Sequence, residues 1–237
     1  MVLESPVVSC TIVILAAGVG SRLGRPHPKP LTPLADGETI LSRALRQLTS
    51  RFGRHSVHLV VGFKKEMVME EVPDVGFIYN QHYGDTNTSK SLLKALAILG
   101  PGGVLWLNGD VVFDERVLDD LLPHIAMERS FVCVNTAAVG EEEVKYTLDD
   151  DGYIRQLAKT ITEGPLGEAV GINYVSAKDR PMLARWLSEC DDSDYFERGI
   201  ELAIEKDGMR IEALDISHRQ VIEVDVAEDL ARANKSL

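Results

Sequence analysis

Along this chain, short and uniformly apolar runs alternate with longer segments whose apolar residues recur every three or four positions. Thr11–Leu15 is a run of the first kind and predicts a buried strand. Thr39–Phe52 is of the second kind, with Ile40, Leu41, Ala44, Leu45 and Leu48 on one helical face. The same reading predicts strands at Val57–Val61, Gly76–Tyr79 and Val104–Leu107. It places helices at Lys65–Glu71, Thr88–Leu99 and Glu115–Met127. A β-α-β-α rhythm of this kind implies a parallel sheet covered on both faces. After Ser130 the rhythm changes. Phe131–Ala137 predicts a strand, and Asp149-Asp150-Asp151-Gly152 separates the alternating runs Val144–Leu148 and Tyr153–Ala158 as a hairpin turn would. Ala169–Val175 is a further strand, followed by helices at Lys178–Ser188 and Asp194–Lys206, a last strand at Val221–Asp225 and a helix at Ala227–Asn234. The expectation is one α/β domain over residues 1–237. It has a Rossmann-like, mostly parallel mixed sheet flanked by helices and a lid-like antiparallel β insertion.

Charge and composition narrow the function classes. The 237 residues include 25 Lys and Arg against 37 Asp and Glu, a formal charge of −12. So acidic a surface disfavours a general binder of nucleic acid or anionic membrane, which needs positive potential. A local basic pocket for a phosphate ligand is still permitted. The start, with Glu4 and no basic segment, makes a poor secretory signal, and no apolar run approaches the ~20 residues of a membrane span. Cys10, Cys133 and Cys190 are odd in number and widely spaced. That pattern suits buried thiols in a reducing cytoplasm better than a disulfide framework or a zinc site.

The strongest chemical signal lies at the first strand-to-helix junction. Leu15-Ala16-Ala17-Gly18-Val19-Gly20-Ser21-Arg22 is followed by Pro28-Lys29-Pro30-Leu31. Glycines after a strand let backbone N–H groups approach phosphate oxygens, and the flanking Arg22 and Lys29 can neutralise a triphosphate. Taken alone, Gly18 and Gly20 could merely turn the chain. The pattern is neither a Walker loop nor a complete Gly-x-Gly-x-x-Gly. Asp110 is expected to end a strand at the carboxyl edge of the sheet, and Asp225 to end another strand that could pair beside it. Two such carboxylates near a triphosphate suit magnesium, a hard cation that prefers oxygen. Asp114 and Glu223 are second choices as ligands, and Asp149–Asp151 reads as an exposed turn.

Together these residues resemble the nucleotidyltransferases, or pyrophosphorylases, that activate sugar phosphates and small phosphorylated alcohols. The first motif resembles their nucleotide-binding signature. Trp106-Leu107-Asn108-Gly109-Asp110 and Glu223-Val224-Asp225, the latter followed by Glu228-Asp229-Leu230, resemble their two metal-binding segments. Tyr79-Asn80, Asn87–Leu92, Glu142–Lys145 and Gly167–Ile172 resemble the branch around phosphocholine cytidylyltransferase, which includes phosphonate cytidylyltransferases. The resemblance implies a nucleotide-diphospho-sugar-transferase-like fold, with a nucleotide-binding half at about 9–128 and an acceptor-binding half at about 129–237. It implies CMP transfer from CTP to a small phosphate or phosphonate, with Mg²⁺ on Asp110 and Asp225. The implied nucleotide contacts are Leu15, Ala16, Ala17, Gly18, Gly20, Ser21, Arg22, Asn80, Thr88 and Ser89. Arg22 would take the β/γ-phosphates and Lys29 the acceptor and α-phosphoryl oxygens, so that Lys29, Arg22, Asp110 and Asp225 carry catalysis. Lys29, Lys145, Lys159, Glu168 and Asp194 are the implied acceptor contacts. A homo-oligomer is compatible with all of this.

The acceptor itself stays open at this level. An aromatic cage for a quaternary ammonium could draw on Tyr83, Tyr146, Tyr153, Tyr174, Tyr195 or Phe196. A primary amine could instead be attracted by Glu141, Glu142, Glu143 or Asp194. Among the histidines, His27 beside Lys29 is the one expected near ligand. Three rivals stand beside a cytidylyltransferase. The first is a sugar-1-phosphate nucleotidyltransferase using UTP, CTP or dTTP. A glycosyltransferase is disfavoured because Asn108-Gly109-Asp110 lacks the first acid of Asp-x-Asp. The third is a non-catalytic nucleotide sensor.

Overall fold

The computed structural model describes residues 10–20, 23–137, 139–140 and 143–235. The central sheet runs β10-β6-β9-β4-β1-β2-β3. Its strands are β1 (Thr11–Ala16), β2 (Val57–Val61), β3 (Gly76–Tyr79), β4 (Val104–Asn108), β6 (Phe131–Asn135), β9 (Gly167–Val175) and β10 (Glu212–Asp215). Neighbours pair in parallel except at β9, which lies antiparallel between β4 and β6. The sheet is thus mixed and mostly parallel, as the alternating pattern predicts, and β9 ties the second half of the chain into the sheet begun by the first.

β1 shows why its sequence is apolar at every position. Ile12 and Ile14 face one core with Leu41, Leu45 and Leu48 of α1 (Ile40–Phe52), while Val13 and Leu15 face another with Leu92, Ala95 and Leu96 of α3 (Thr88–Ile98). A parallel strand covered on both faces has no side for polar residues. α1 starts where its sequence says it should. Thr39 and Ser42 form a reciprocal cap, Thr39 Oγ1 accepting from Ser42 N at 3.0 Å and Ser42 Oγ from Thr39 N at 2.8 Å. The other helices are α2 (Lys65–Glu71), α4 (Val117–Ala126), α5 (Arg180–Glu189), α6 (Phe196–Asp207) and α7 (Ala227–Lys235). Among the described residues no helix is long and apolar enough to cross a membrane. Cys10, Cys133 and Cys190 are buried free thiols.

The fold departs from the sequence pattern in two strands and one pairing. β5 (Val111–Phe113) and β10 are too short to show a clear alternation. β11 (Val221–Glu223) does not join the central sheet beside β4. It pairs antiparallel with β5 as a separate ribbon, so Asp225 lies two residues beyond a strand rather than at its end. Asp110 likewise sits in the turn between β4 and β5. The hairpin is present as β7 (Lys145–Leu148) and β8 (Ile154–Ala158), and β7 also pairs with the start of β9, Lys145 opposite Glu168. At the β6–β9 register shift Gly171 has φ +70°, and a Cβ there would lie 2.3 Å from Glu223 Oε1. The glycine satisfies both the backbone and the close approach of that carboxylate.

Arg180, at the start of α5, joins two helices. It is 9% exposed, and its guanidinium donates to the carbonyls of Leu96 (2.5 Å), Leu99 (2.8 Å), Gly102 (3.2 Å) and Gly100. These are the unpaired carbonyls at the end of α3 and the turn beyond it. Burial lowers the Arg180 pKa, yet the fixed fork of its guanidinium lets this one side chain cap four carbonyls. Arg180→Met should destabilise by on the order of 2–4 kcal/mol, because buried carbonyls lose charged donors. Urea unfolding would measure this, with Arg180→Lys expected in between, since one ammonium cannot reach all four oxygens.

Candidate active site

The carboxyl ends of β1 and β4 open onto a cleft of about 270 Å³. Open α/β sheets bind ligands at this edge. One wall is the loop after β1, with Leu15, Ala16, Gly18 and Gly20. Gly20 has φ +61°, and a Cβ there would lie 2.7 Å from Lys29 Cβ. The glycine loop and the Pro-Lys-Pro segment are therefore packed together. Lys29 opens a short 3-10 turn, Lys29–Leu31, between the buried Pro28 and Pro30.

From that mount the Lys29 ammonium reaches the carboxylate of Asp110 at 2.5 Å and also that of Asp225. Burial works against its charge, but Asp110 and then Asp225 outweigh burial and hold its pKa above the ordinary lysine value. The two aspartates are tied through the backbone as well, Val224 N donating to Asp110 O at 3.0 Å. Asp229 accepts from the amides of Asp225 (3.0 Å) and Val226 (2.9 Å) and so caps α7.

The opposite walls come from later in the chain. Asn87 and Thr88 stand at the N-terminus of α3, Lys159 follows the hairpin, and Tyr195 and Glu197 flank the start of α6. Phe196, between them, is anchored edge-on against Trp106 of β4 with centroids 5.5 Å apart. The N-termini of α3 and α6 are bound together. Thr88 Oγ1 accepts from Phe196 N (3.1 Å), Asn87 N donates to Asp192 O (2.7 Å) and Ser89 N to Asp194 O (3.3 Å). The Lys159 ammonium lies over the Tyr195 ring, 5.3 Å from its centroid. Glu197 is 8% exposed, and its Oε2 has no hydrogen-bond partner. Burial pushes its carboxyl up to about 7, partly opposed by a backbone hydrogen bond and the charge of Lys159. Burial, and then the charges of Asp110, Glu143, Glu197 and Asp225, raise the pKa of Glu223 well above the usual carboxylate range.

Of the residues expected from sequence, Leu15, Ala16, Gly18, Gly20, Lys29, Thr88, Asp110, Lys159 and Asp225 line the cleft. Ser21, Arg22, Glu141 and Glu142 lie outside the described residues. Ala17 lines a small adjoining recess with Tyr83 and Thr86. Asn80 does not face ligand space. It is fully buried, its amide donating to Thr86 Oγ1 and Ser91 Oγ at 3.1 Å each, and it orders the loop before α3. Ser89 is likewise fully buried, so the Asn87–Leu92 run largely supports the α5–α6 connection. Lys145 donates to Lys159 O at 2.9 Å and stands behind that residue. Glu168 accepts from Gly140 N at 2.8 Å and faces a side recess with Glu143. The Asp194 carboxylate turns away to accept from Asp191 N at 2.9 Å. Asp114 is paired with Arg116 at 2.5 Å, which holds its carboxyl down at about 2, and it is absent from the cleft.

The six aromatics do not converge. Tyr146 and Tyr174 are core, Tyr153 packs against Arg210 and Tyr83 against Phe63, leaving Tyr195 and Phe196 at the cleft. His27 Nδ1 lies 3.1 Å from Pro28 O, outside the lining. Asn108 and Glu197 line the cleft without having been expected there. Glu197 had a signal in the sequence, since it shares the helical face of Phe196, Ile200 and Ala203, where a charged residue is out of place.

Among the described residues, no group of three or more His, Cys, Asp or Glu side chains is arranged to hold a metal. Asp110 and Asp225 nonetheless share one cation, the Lys29 ammonium, and Asp110 Oδ1 is buried without a partner. Two carboxylates converging on one cation, with the Asp110 Oδ1 atom unpartnered, suit magnesium, which keeps several waters and uses substrate phosphates to complete its shell.

Residues 12–194 match the MobA-like NTP transferase domain. The chain is 30% identical to the CMP-5'-(3-aminopropyl)phosphonate synthase of Streptomyces rubellomurinus, over 94% of this chain and 38% of that protein. It is 27% identical to the 2-aminoethylphosphonate cytidylyltransferase of Lancefieldella rimae, over 92% of this chain and 89% of that one. It shares its fold with the CTP:phosphocholine cytidylyltransferase of Streptococcus pneumoniae, with a TM-score of 0.75, 19% identity, and 96% of this chain and 98% of that chain covered. The chain thus spans well under half of the first relative and most of the second.

The buried Glu197 gives a pH signature. With its folded pKa raised from 4.5 to about 7, the native state keeps a proton that the unfolded chain releases. Stability should fall as pH rises between those values and stay reduced above them. In ligand-free protein, Glu197→Gln should raise the melting temperature at pH 8, and the gain should shrink towards pH 5. Thermal unfolding at the two pH values checks this.

Proposed function

Because the chain belongs to the MobA-like NTP transferase domain family, we propose that it is a cytidylyltransferase, transferring CMP from CTP to a small aminoalkylphosphonate with release of pyrophosphate. The observation that carries this reading is Lys29 held between Asp110 and Asp225 beside the glycine loop. That arrangement gathers cation-binding carboxylates and a positive charge whose partners phosphate oxygens can replace, where a triphosphate would lie. The phosphonate comes from the two relatives, both of which are named for aminoalkylphosphonates. Residues 9–128 would then serve mainly the nucleotide and 129–237 the acceptor.

The chemistry needs no covalent intermediate. An acceptor phosphonate oxygen, already anionic at neutral pH, attacks the α-phosphorus of CTP. The new P–O bond forms as the bond from the α-phosphorus to the bridging oxygen breaks, and the electron pair leaves on pyrophosphate. The backbone around Ala16–Gly20 cradles the triphosphate. Arg22 keeps the β/γ-phosphate role that the motif suggests. Lys29, exchanging its carboxylate partners for phosphoryl oxygens, stabilises charge on the α-phosphoryl group in flight. Asp110 and Asp225 are the residues to hold Mg²⁺, which supplies charge neutralisation to the reacting phosphates. Lys159, with Lys145 behind it, faces the acceptor.

Pyrophosphate release decides between this reading and its rivals. CTP with aminoethylphosphonate or aminopropylphosphonate should outperform UTP, dTTP, ATP or GTP, and should outperform phosphocholine, inositol phosphate and glucose 1-phosphate as acceptors. Better turnover with UTP and a sugar phosphate would make the protein a sugar nucleotidyltransferase instead.

Two substitutions separate an enzyme from a sensor. Lys29→Ala should lower kcat/KM by on the order of 10²-fold or more, with a much smaller loss of CTP affinity by calorimetry. Asp110→Asn should lower turnover similarly and raise the magnesium concentration needed for half-maximal rate. If CTP binding falls in proportion to charge and neither wild type nor variant turns over, the protein is a nucleotide sensor.

A further inference from the structure

The cleft is electrically divided. Lys29 and the glycine loop make one end suited to phosphate, while the wall formed by the start of α6 carries the buried carboxylate of Glu197. Three observations bear on that carboxylate. Its Oε2 has no partner although the residue is only 8% exposed. The neighbouring Tyr195 ring is 43% exposed at the cleft and already has a cation over it, the Lys159 ammonium. The position is rigid, because Phe196, between the two, is clamped by Trp106 and by Thr88. A buried, unpartnered acceptor beside an aromatic face is costly to maintain unless a ligand donates to it.

We propose that Glu197, with the Tyr195 ring beside it, binds the ammonium group of the acceptor and makes the enzyme selective for aminated phosphonates over their uncharged counterparts. The inference rests on the cytidylyltransferase reading and deepens it. The acceptor's ammonium takes the place over Tyr195 that Lys159 now holds, and Lys159 is released towards the phosphonate. Of the other acids at the cleft, Asp110 and Asp225 are paired with Lys29, and Glu223, at their end, is engaged by Asn108 Nδ2 at 3.4 Å.

The test compares aminoethylphosphonate with ethylphosphonate under saturating CTP, in wild type, Glu197→Gln and Glu197→Asp. The quantity read is the ratio of kcat/KM for the two acceptors. Wild type should strongly prefer the aminated one. Glu197→Gln should reduce the ratio by on the order of 10²-fold, chiefly through KM for the aminated acceptor, because a site built for a charged donor loses its discrimination with the charge. Glu197→Asp, which keeps the charge, should retain part of the preference. CTP binding by calorimetry reports that each variant is folded. A ratio unchanged in Glu197→Gln, with wild type active on aminoethylphosphonate, overturns the role of Glu197 alone. Wild type inactive on every aminated acceptor but active on sugar phosphates overturns the cytidylyltransferase reading and the inference with it.

Discussion

The constraint on which this structure turns is the place of one ammonium group. Lys29 bridges Asp110 and Asp225, which lie 81 and 196 residues away in the chain. Three segments must therefore arrive together: the loop after β1, the β4–β5 turn and the end of the β11 ribbon. The prolines on either side of Lys29 restrict its backbone before the contact forms, so little flexibility remains to be lost. Bringing two carboxylates and an ammonium out of water is expensive unless they neutralise one another. Here Asp110 and Asp225 hold the Lys29 pKa above the ordinary lysine value against its burial, and the excess negative charge is left for a further cation or the solvent.

The rest of the cleft follows from how those segments are held. The β5–β11 ribbon, outside the main sheet, exists to carry Asp225 to Asp110, and Asp229 closes it onto α7. The antiparallel β9 brings its bulge and Gly171 beneath Glu223. On the far side, α3 and α6 meet end to end at the cleft, with Arg180 binding the other end of α3 to α5. Hydrogen bonds to backbone thus fix the elements of these walls, leaving side chains such as Lys29 and Lys159 as the groups that change partners in the proposed reaction.

Charge distribution gives this scaffold its chemistry. The chain carries a formal charge of −12, yet the described lysines at the cleft, Lys29 and Lys159, both lie against partners that a ligand can replace. Lys29 rests on carboxylates, and Lys159 on an aromatic face. An anionic ligand gains these cations, and a cationic group on the same ligand gains the partners they leave. A zwitterion matches such a cleft better than a simple phosphate does.

The sequence by itself determined the apolar strands and the main helices, and it singled out Lys29, Asp110 and Asp225, which the fold brings into contact. These are local matters: burial on both faces writes itself as an unbroken apolar run, and a phosphate loop needs its glycines and cations close together in the chain. The tertiary structure alone decided that Asn80 and Ser89 support the cleft from within, that Asp194 faces away, that β11 leaves the main sheet and that Glu197 enters the cleft. Polar residues read the same whether they meet a ligand or a neighbouring backbone amide. Which of the two they meet depends on contacts between segments a hundred residues or more apart, such as Phe196 on Thr88, and no local pattern encodes the direction in which a side chain will be turned by them.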